Sequence, residues 1–116
     1  MRRKVLFVCS RNQWRSPTAA RVYRGSPLVD ARSAGTSKHA RTRVTEALVH
    51  WASLICVMEG KHRDRLRAQF PQALRGCEVV VLDIPDDYRF MDPELVELIH
   101  AQVDPLVSAS DDPNDD

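Results

Sequence analysis

Long apolar runs are missing from this chain of 116 residues, so nothing in it predicts a membrane-spanning helix. The opening Met1-Arg2-Arg3-Lys4 has the charge of a secretory leader, but the apolar stretch behind it stops at Cys9 and is too short for one. Cysteine is held to three residues without framework spacing, which argues against a disulfide scaffold and suits a reducing, cytoplasmic setting. No His/Cys cluster has zinc-ligand spacing, so neither a metal nor a cofactor is predicted. Aromatic residues make up only 6% of the chain. With the basic residues dispersed and few aromatics among them, a nucleic-acid partner is not expected.

Acidic residues are nearly missing from the first two thirds. Residues 1 to 75 hold 16 Lys/Arg and 4 Asp/Glu, whereas residues 76 to 116 hold 1 and 12, so a net charge of +1 conceals segments of +12 and −11. Two outcomes are open. The basic part surrounds and attracts an anionic ligand, or the two parts fold together and neutralise each other.

What the chain does have is the run Val5-Leu6-Phe7-Val8-Cys9-Ser10-Arg11-Asn12-Gln13-Trp14-Arg15-Ser16-Pro17. A short buried strand delivers Cys9 into a tight loop, and the loop returns Arg15 just before a helix start, with Ser16 as expected N-cap and Pro17 at the first helical position. Such a loop turns backbone N–H groups inward, and the helix start adds unpaired donors and a positive dipole end. An oxyanion fits this cup, held by residues Ser10, Arg11, Asn12, Gln13, Trp14 and Arg15. The same field favours the thiolate of Cys9, which would make it a nucleophile. Arg15 offers a planar fork for two phosphate oxygens, a role a lysine fills less well.

From these residues the chain resembles the low-molecular-weight protein tyrosine phosphatases, whose pattern is a strand, Cys-x5-Arg-Ser-Pro and a helix. Ser33-Ala34-Gly35-Thr36 is similar to the segment leaving the second strand in that family, and Leu54-Ile55-Cys56-Val57-Met58-Glu59 to its third strand. Asp83-Ile84-Pro85-Asp86-Asp87-Tyr88 is similar to its Asp-Pro-Tyr loop. The resemblance implies a phosphate-monoester hydrolase that forms a phosphocysteine on Cys9, with Arg15 holding the phosphoryl group and Asp86 as general acid. It also implies that Ser33 holds Asn12 and that Ser16 serves the Cys9 sulfur. Tyr88 would wall the cleft, and Trp14 could stack on an aryl substrate. The substrate would be a phosphorylated protein or a small phosphate monoester.

Three departures stand out. Arg11 takes a place where the family usually has glycine, so the loop is expected to be left-handed there or to change path. Asp87 replaces the proline after the acid, which leaves Asp86 and Asp87 as neighbouring candidates. Residues 37 to 52 are fewer than typical members have between these landmarks, so one wall of the cleft is shortened. Two further functions stay open: an arsenate reductase, which would need relay cysteines beyond Cys9, and a non-catalytic phosphate-binding module.

The rest of the chain alternates strand and helix. Strands are expected at Lys4–Val8, Val29–Ser33, Ser53–Met58 and Glu78–Leu82. Helices are expected at 17–24, 42–51, 61–70, after a break at Gly60, and 93–107, the last capped by Asp92. Alternation predicts an α/β fold, a flavodoxin-like four-stranded parallel sheet in the order 2-1-3-4 with helices on both faces. Residues 1–107 form one domain, and the acidic residues 108–116 are expected to be a disordered tail. His39, His50, His62 and His100 match no motif and are assigned to surface or packing.

Overall fold

The computed structural model describes residues 2–108. Its strands are β1 (Arg3–Cys9), β2 (Val29–Gly35), β3 (Leu54–Val57) and β4 (Glu78–Val81). Its helices are α1 (Arg15–Val22), α2 (Glu46–Trp51), α3 (Gly60–Gln69) and α4 (Pro93–Val107). All pairings are parallel and the strand order is β2-β1-β3-β4, the doubly wound arrangement expected from the alternation. Of the acidic tail expected over 108–116, all but Ser108 lies outside the described residues. No described helix is long and apolar enough to cross a membrane.

Strand side chains alternate between faces, and β1 shows why its apolar run is continuous. Val5, Phe7 and Cys9 point to one core with Ala19 of α1, Tyr23 just after it, and Leu95, Ile99 and Val103 of α4. Leu6 and Val8 point to the other, with Val49 of α2 and Leu66 of α3. A strand covered on both faces has no position left for a polar side chain. β4 has the same β-branched character but lies at the sheet edge and is only half buried.

Several helix starts differ from the expectation, each for a local reason. Ser16 is not the N-cap of α1: the helix begins one residue earlier, Trp14 is the cap residue without a side-chain bond, and Pro17 is the third helical residue. The hydroxyl of Ser16 is engaged with the loop and is not available to cap. α2 begins at Glu46 because Thr45 Oγ1 accepts the N–H of Leu48. Gly60 opens α3 instead of preceding it, since Glu59 and His62 form a reciprocal capping box in front of it. Asp92 caps α4 as expected, accepting the N–H of Glu94.

Candidate functional site

At the carboxyl edge of the sheet β1 ends on Cys9, and residues 10 to 14 curve back into α1. The backbone of this loop is oriented by its carbonyls. Those of Cys9, Ser10 and Arg11 accept the N–H groups of Thr36 (3.0 Å), Ser37 (2.9 Å) and Arg41 (3.0 Å) from the segment after β2. Tying the carbonyls outward leaves the amides of the loop for the other side, and among the described residues none of the N–H groups of residues 11 to 14 has a protein acceptor. Unpaired amides converging at a helix start are the donors an oxyanion needs.

The close approach depends on Gly35. A Cβ there would lie 2.4 Å from the Ser10 carbonyl oxygen and 2.9 Å from the Asn12 nitrogen, inside any permitted contact. Left-handed backbone occurs at Asn12, φ 56°, and not at Arg11. Of the two outcomes open for Arg11, the change of path is the one observed: asparagine tolerates this conformation, so the left-handed residue is Asn12 and Arg11 stays exposed.

Asn12 is buried, and its side-chain amide nitrogen is fully engaged. Its Nδ2 donates to Ser33 Oγ and to Ser16 Oγ, both at 2.9 Å, which is the Asn12–Ser33 link the resemblance implied. Ser16 Oγ lies 3.0 Å from Cys9 Sγ and 3.3 Å from the Ala34 carbonyl. The single Ser16 proton can turn to the Ala34 carbonyl or to the sulfur, and with Ala34 as its acceptor the Cys9 thiol can donate to Ser16 Oγ.

Arg15 is 2% exposed, yet its guanidinium reaches the cup. Its Nη1 donates to Glu59 Oε1 at 2.5 Å and to the Ile84 carbonyl at 2.8 Å, and Nε lies 3.5 Å from Asp86 Oδ1. Two anchors on one nitrogen fix the plane of the fork. The Arg15 hydrogen bond holds the Glu59 carboxyl below the usual carboxylate range, against the opposing effect of its burial. Glu59 is thus a charged anchor at neutral pH.

The cup encloses about 40 Å³ and is lined by Cys9, Ser10, Arg11, Gln13, Trp14, Arg15 and Asp86. Asp86 therefore faces the loop. Asp87 is exposed and is not among the lining residues. Trp14 is 36% exposed at the rim, with the Arg89 guanidinium 5.9 Å from its ring centroid. Tyr88 is directed instead to α4, where its hydroxyl donates to Glu94 Oε2 at 3.0 Å, and it does not line the cup.

His62, assigned from the sequence to surface or packing, is 1% exposed and belongs to the site's support. Its Nδ1 accepts the Glu59 N–H at 3.0 Å, so the neutral ring carries its proton on Nε2, 2.9 Å from Ser10 Oγ. Burial, reinforced by the Arg15 charge, pushes the imidazole down to about 4. A signal for it exists in the sequence: Glu59 directly follows a strand and precedes His62 by the three residues of a capping box.

The other two cysteines are remote from this chemistry. Cys56 is fully buried in the centre of β3, and burial pushes its thiol up to about 12. Cys77 immediately precedes β4, at the amino edge of a parallel sheet whose carboxyl edge carries Cys9. Among the described residues no group of His, Cys, Asp and Glu could hold a metal ion.

No protein-family model matches the sequence, and no curated protein matches it. Solved structures do. The tyrosine phosphatase Wzb from Escherichia coli K30, in complex with phosphate, is 25% identical, with 92% of this chain and 97% of that one covered at a TM-score of 0.73. Vibrio vulnificus Wzb in complex with benzylphosphonate is 26% identical over 90% and 97%, also at 0.73. The YwlE arginine phosphatase from Geobacillus stearothermophilus is 25% identical over 90% and 85%, at 0.60. The similarity extends along nearly the whole of each Wzb chain, and the chain has the fold of the low-molecular-weight tyrosine phosphatases that its sequence resembles.

Proposed function

We propose that this chain is a phosphate-monoester hydrolase, protein tyrosine phosphatase-like, that works through a phosphocysteine on Cys9. The observation that carries the reading is the cup itself: a cysteine sulfur in hydrogen-bonding reach of the Ser16 hydroxyl, beneath a loop with available amides, with Arg15 and Asp86 on its lining. In the first step the Cys9 thiolate attacks phosphorus in line. A P–S bond forms, the P–O bond to the leaving group breaks, and Asp86 gives that oxygen its proton. Water then attacks phosphorus, Asp86 takes its proton, and inorganic phosphate leaves with the thiolate restored. The loop amides and the Arg15 fork stabilise the charge on the equatorial oxygens throughout. The scheme uses only side chains, backbone and water.

An entering anion would compete with Asp86 for Arg15, since Nε lies near that carboxylate and Nη1 is anchored on Glu59 and Ile84. Phosphate entry therefore exchanges one anion for another on Arg15. Trp14 at the rim offers an apolar face to an aryl ester. We further propose that residues 1–107 act as one catalytic domain in a cytoplasmic setting, with a phosphorylated protein or small phosphate monoester as substrate. The reductase reading is disfavoured by the burial of Cys56 and by the position of Cys77 at the far edge of the sheet.

The test is a steady-state assay on an aryl phosphate beside an arsenate-plus-thiol assay. Cys9→Ser should lose essentially all turnover yet still bind vanadate or phosphate weakly, because the donors remain. Arg15→Lys should also fail, since a point charge does not replace the fork. Near-native hydrolysis by Cys9→Ser would overturn the mechanism.

A further inference from the structure

The cup does not stand alone on its rim. Ser10, which lines it, also lines a channel of about 140 Å³ together with Thr36, Ser37, Lys61 and Arg65. Thr36, Ser37 and Arg65 in turn line an outer cavity of about 300 Å³ that adds Lys38 and Arg43. Shared walls thus set the three cavities side by side, from the cup to the outer surface, between α3 and the segment after β2.

Its charge is of one sign. Lys61 and Arg65 are four residues apart on α3 and share a face, and Lys38 and Arg43 approach from the opposite wall. No carboxylate lines either cavity. Among the described residues Lys38, Arg43 and Arg65 make no ion pair, and Lys61 has only a 3.8 Å contact to Glu59. The sequence left open whether the acidic third of the chain neutralises the basic part. Here the fold decides: α4 packs with α1 on one face of the sheet and α3 on the other. The described bridges between the two segments are Arg3–Glu78, remote from these cavities, and Arg15–Asp86, inside the cup; neither reaches the two outer cavities.

We propose that this groove is a specificity site for an acidic peptide segment flanking the phosphorylated residue, whose phosphate enters the cup. The assignment rests on the phosphatase reading above for what happens in the cup, but the groove makes its own prediction about binding. A small monoester fills the cup and leaves the groove without a role, whereas an extended chain spans both. No Phe, Tyr or Trp lines the groove, whose rings are the imidazoles of His39 and of the buried His62, so a nucleic-acid strand would find phosphate contacts but at most one exposed imidazole to stack on. Carboxylates on a peptide need only the cations.

The experiment compares two phosphotyrosine peptides of equal length, one with aspartates on both sides and one with neutral residues, alongside an aryl phosphate. The acidic peptide should show at least about tenfold higher kcat/KM than the neutral one at low salt, and the gap should close as ionic strength rises. The triple variant Lys38→Ala, Arg43→Ala, Arg65→Ala should abolish the preference and leave aryl phosphate turnover unchanged. Fluorescence anisotropy of the same peptides on Cys9→Ser, with and without the triple substitution, reads the groove independently of chemistry. If aryl phosphate is not hydrolysed but the acidic peptide still binds about tenfold tighter through the three cations, the hydrolase reading falls and the groove stands. Equal binding of both peptides, or a preference that survives the triple variant, overturns the groove. Tighter binding of a 5′-phosphorylated oligonucleotide than of the acidic peptide overturns its assignment to peptides.

Discussion

Burial and the Arg15 charge hold His62 neutral down to about pH 4, while the unfolded chain takes up a proton near the ordinary histidine value of about 6.5. Between those values the unfolded state binds more protons, so stability falls as pH drops through this window. Two-state linkage gives a loss of about 2 kcal/mol between pH 7 and pH 5. Glu59 acts lower: its depressed carboxyl contributes stability above the ordinary glutamate range, lost on further acidification. Urea midpoints at the two pH values should therefore fall in the parent chain and change much less in His62→Gln; equal slopes would remove His62 as the cause. The acid is also a single-residue question. Asp86 lines the cup and Asp87 does not, so Asp86→Asn should slow esters of poor leaving groups by about 10² to 10⁴-fold and good ones far less. Asp87→Asn is the control, and a larger effect there would place the acid one residue on.

The elements matter through how closely they approach. The phosphate loop lies against the end of β2 only because Gly35 has no side chain, and a methyl group there would meet the Ser10 carbonyl at 2.4 Å. Gly35→Ala should destabilise by about 1 to 3 kcal/mol through overpacking, and it should also weaken phosphate binding by moving the loop. Gly25→Ala is the comparison: it has φ +80° but nothing within 4 Å, so it should cost about 1 to 2 kcal/mol of backbone strain and spare the cup. Thermal shifts with added phosphate separate the two. Protection lost in Gly35→Ala and kept in Gly25→Ala is the expected result; protection kept in both would show that the loop does not need this approach.

At the scale of the whole molecule, the doubly covered sheet sorts the thiols. Cys9 sits at the carboxyl edge under the loop, Cys56 in the middle of β3 with no exposure, and Cys77 at the amino edge. Iodoacetate should alkylate Cys9 in the native protein and reach Cys56 only after unfolding, as mass mapping of the labelled peptides would show. Prior phosphate should slow the Cys9 reaction by occupying the same cup. Rapid native labelling of Cys56, or a thiol-dependent arsenate turnover lost in Cys56→Ser or Cys77→Ser, would reopen the reductase reading.

Much of this was legible in the chain because it rests on local rules. The unbroken apolar run of β1, the alternation of strand and helix, and the Cys9-to-Arg15 spacing state the strand order and put the loop at the carboxyl edge. Asn12 as a residue at ease in left-handed backbone was equally readable, though whether the loop would be left-handed at Arg11 or take another path stayed open. What remained was decided by contacts between distant segments. Glu59 and His62 follow β3 and reach the site only because β3 lies beside β1. Ser16 was read both as a cap and as a partner of the Cys9 sulfur; the cap, argued from its neighbours along the chain, is not made, and its hydroxyl is bound to Cys9, Asn12 and Ala34. The charge asymmetry, too, was a number without a direction until the helices took opposite faces of the sheet. Residue type and spacing determine local conformation, but which charges and hydroxyls meet is set by the packing of the sheet, and only the tertiary structure contains that.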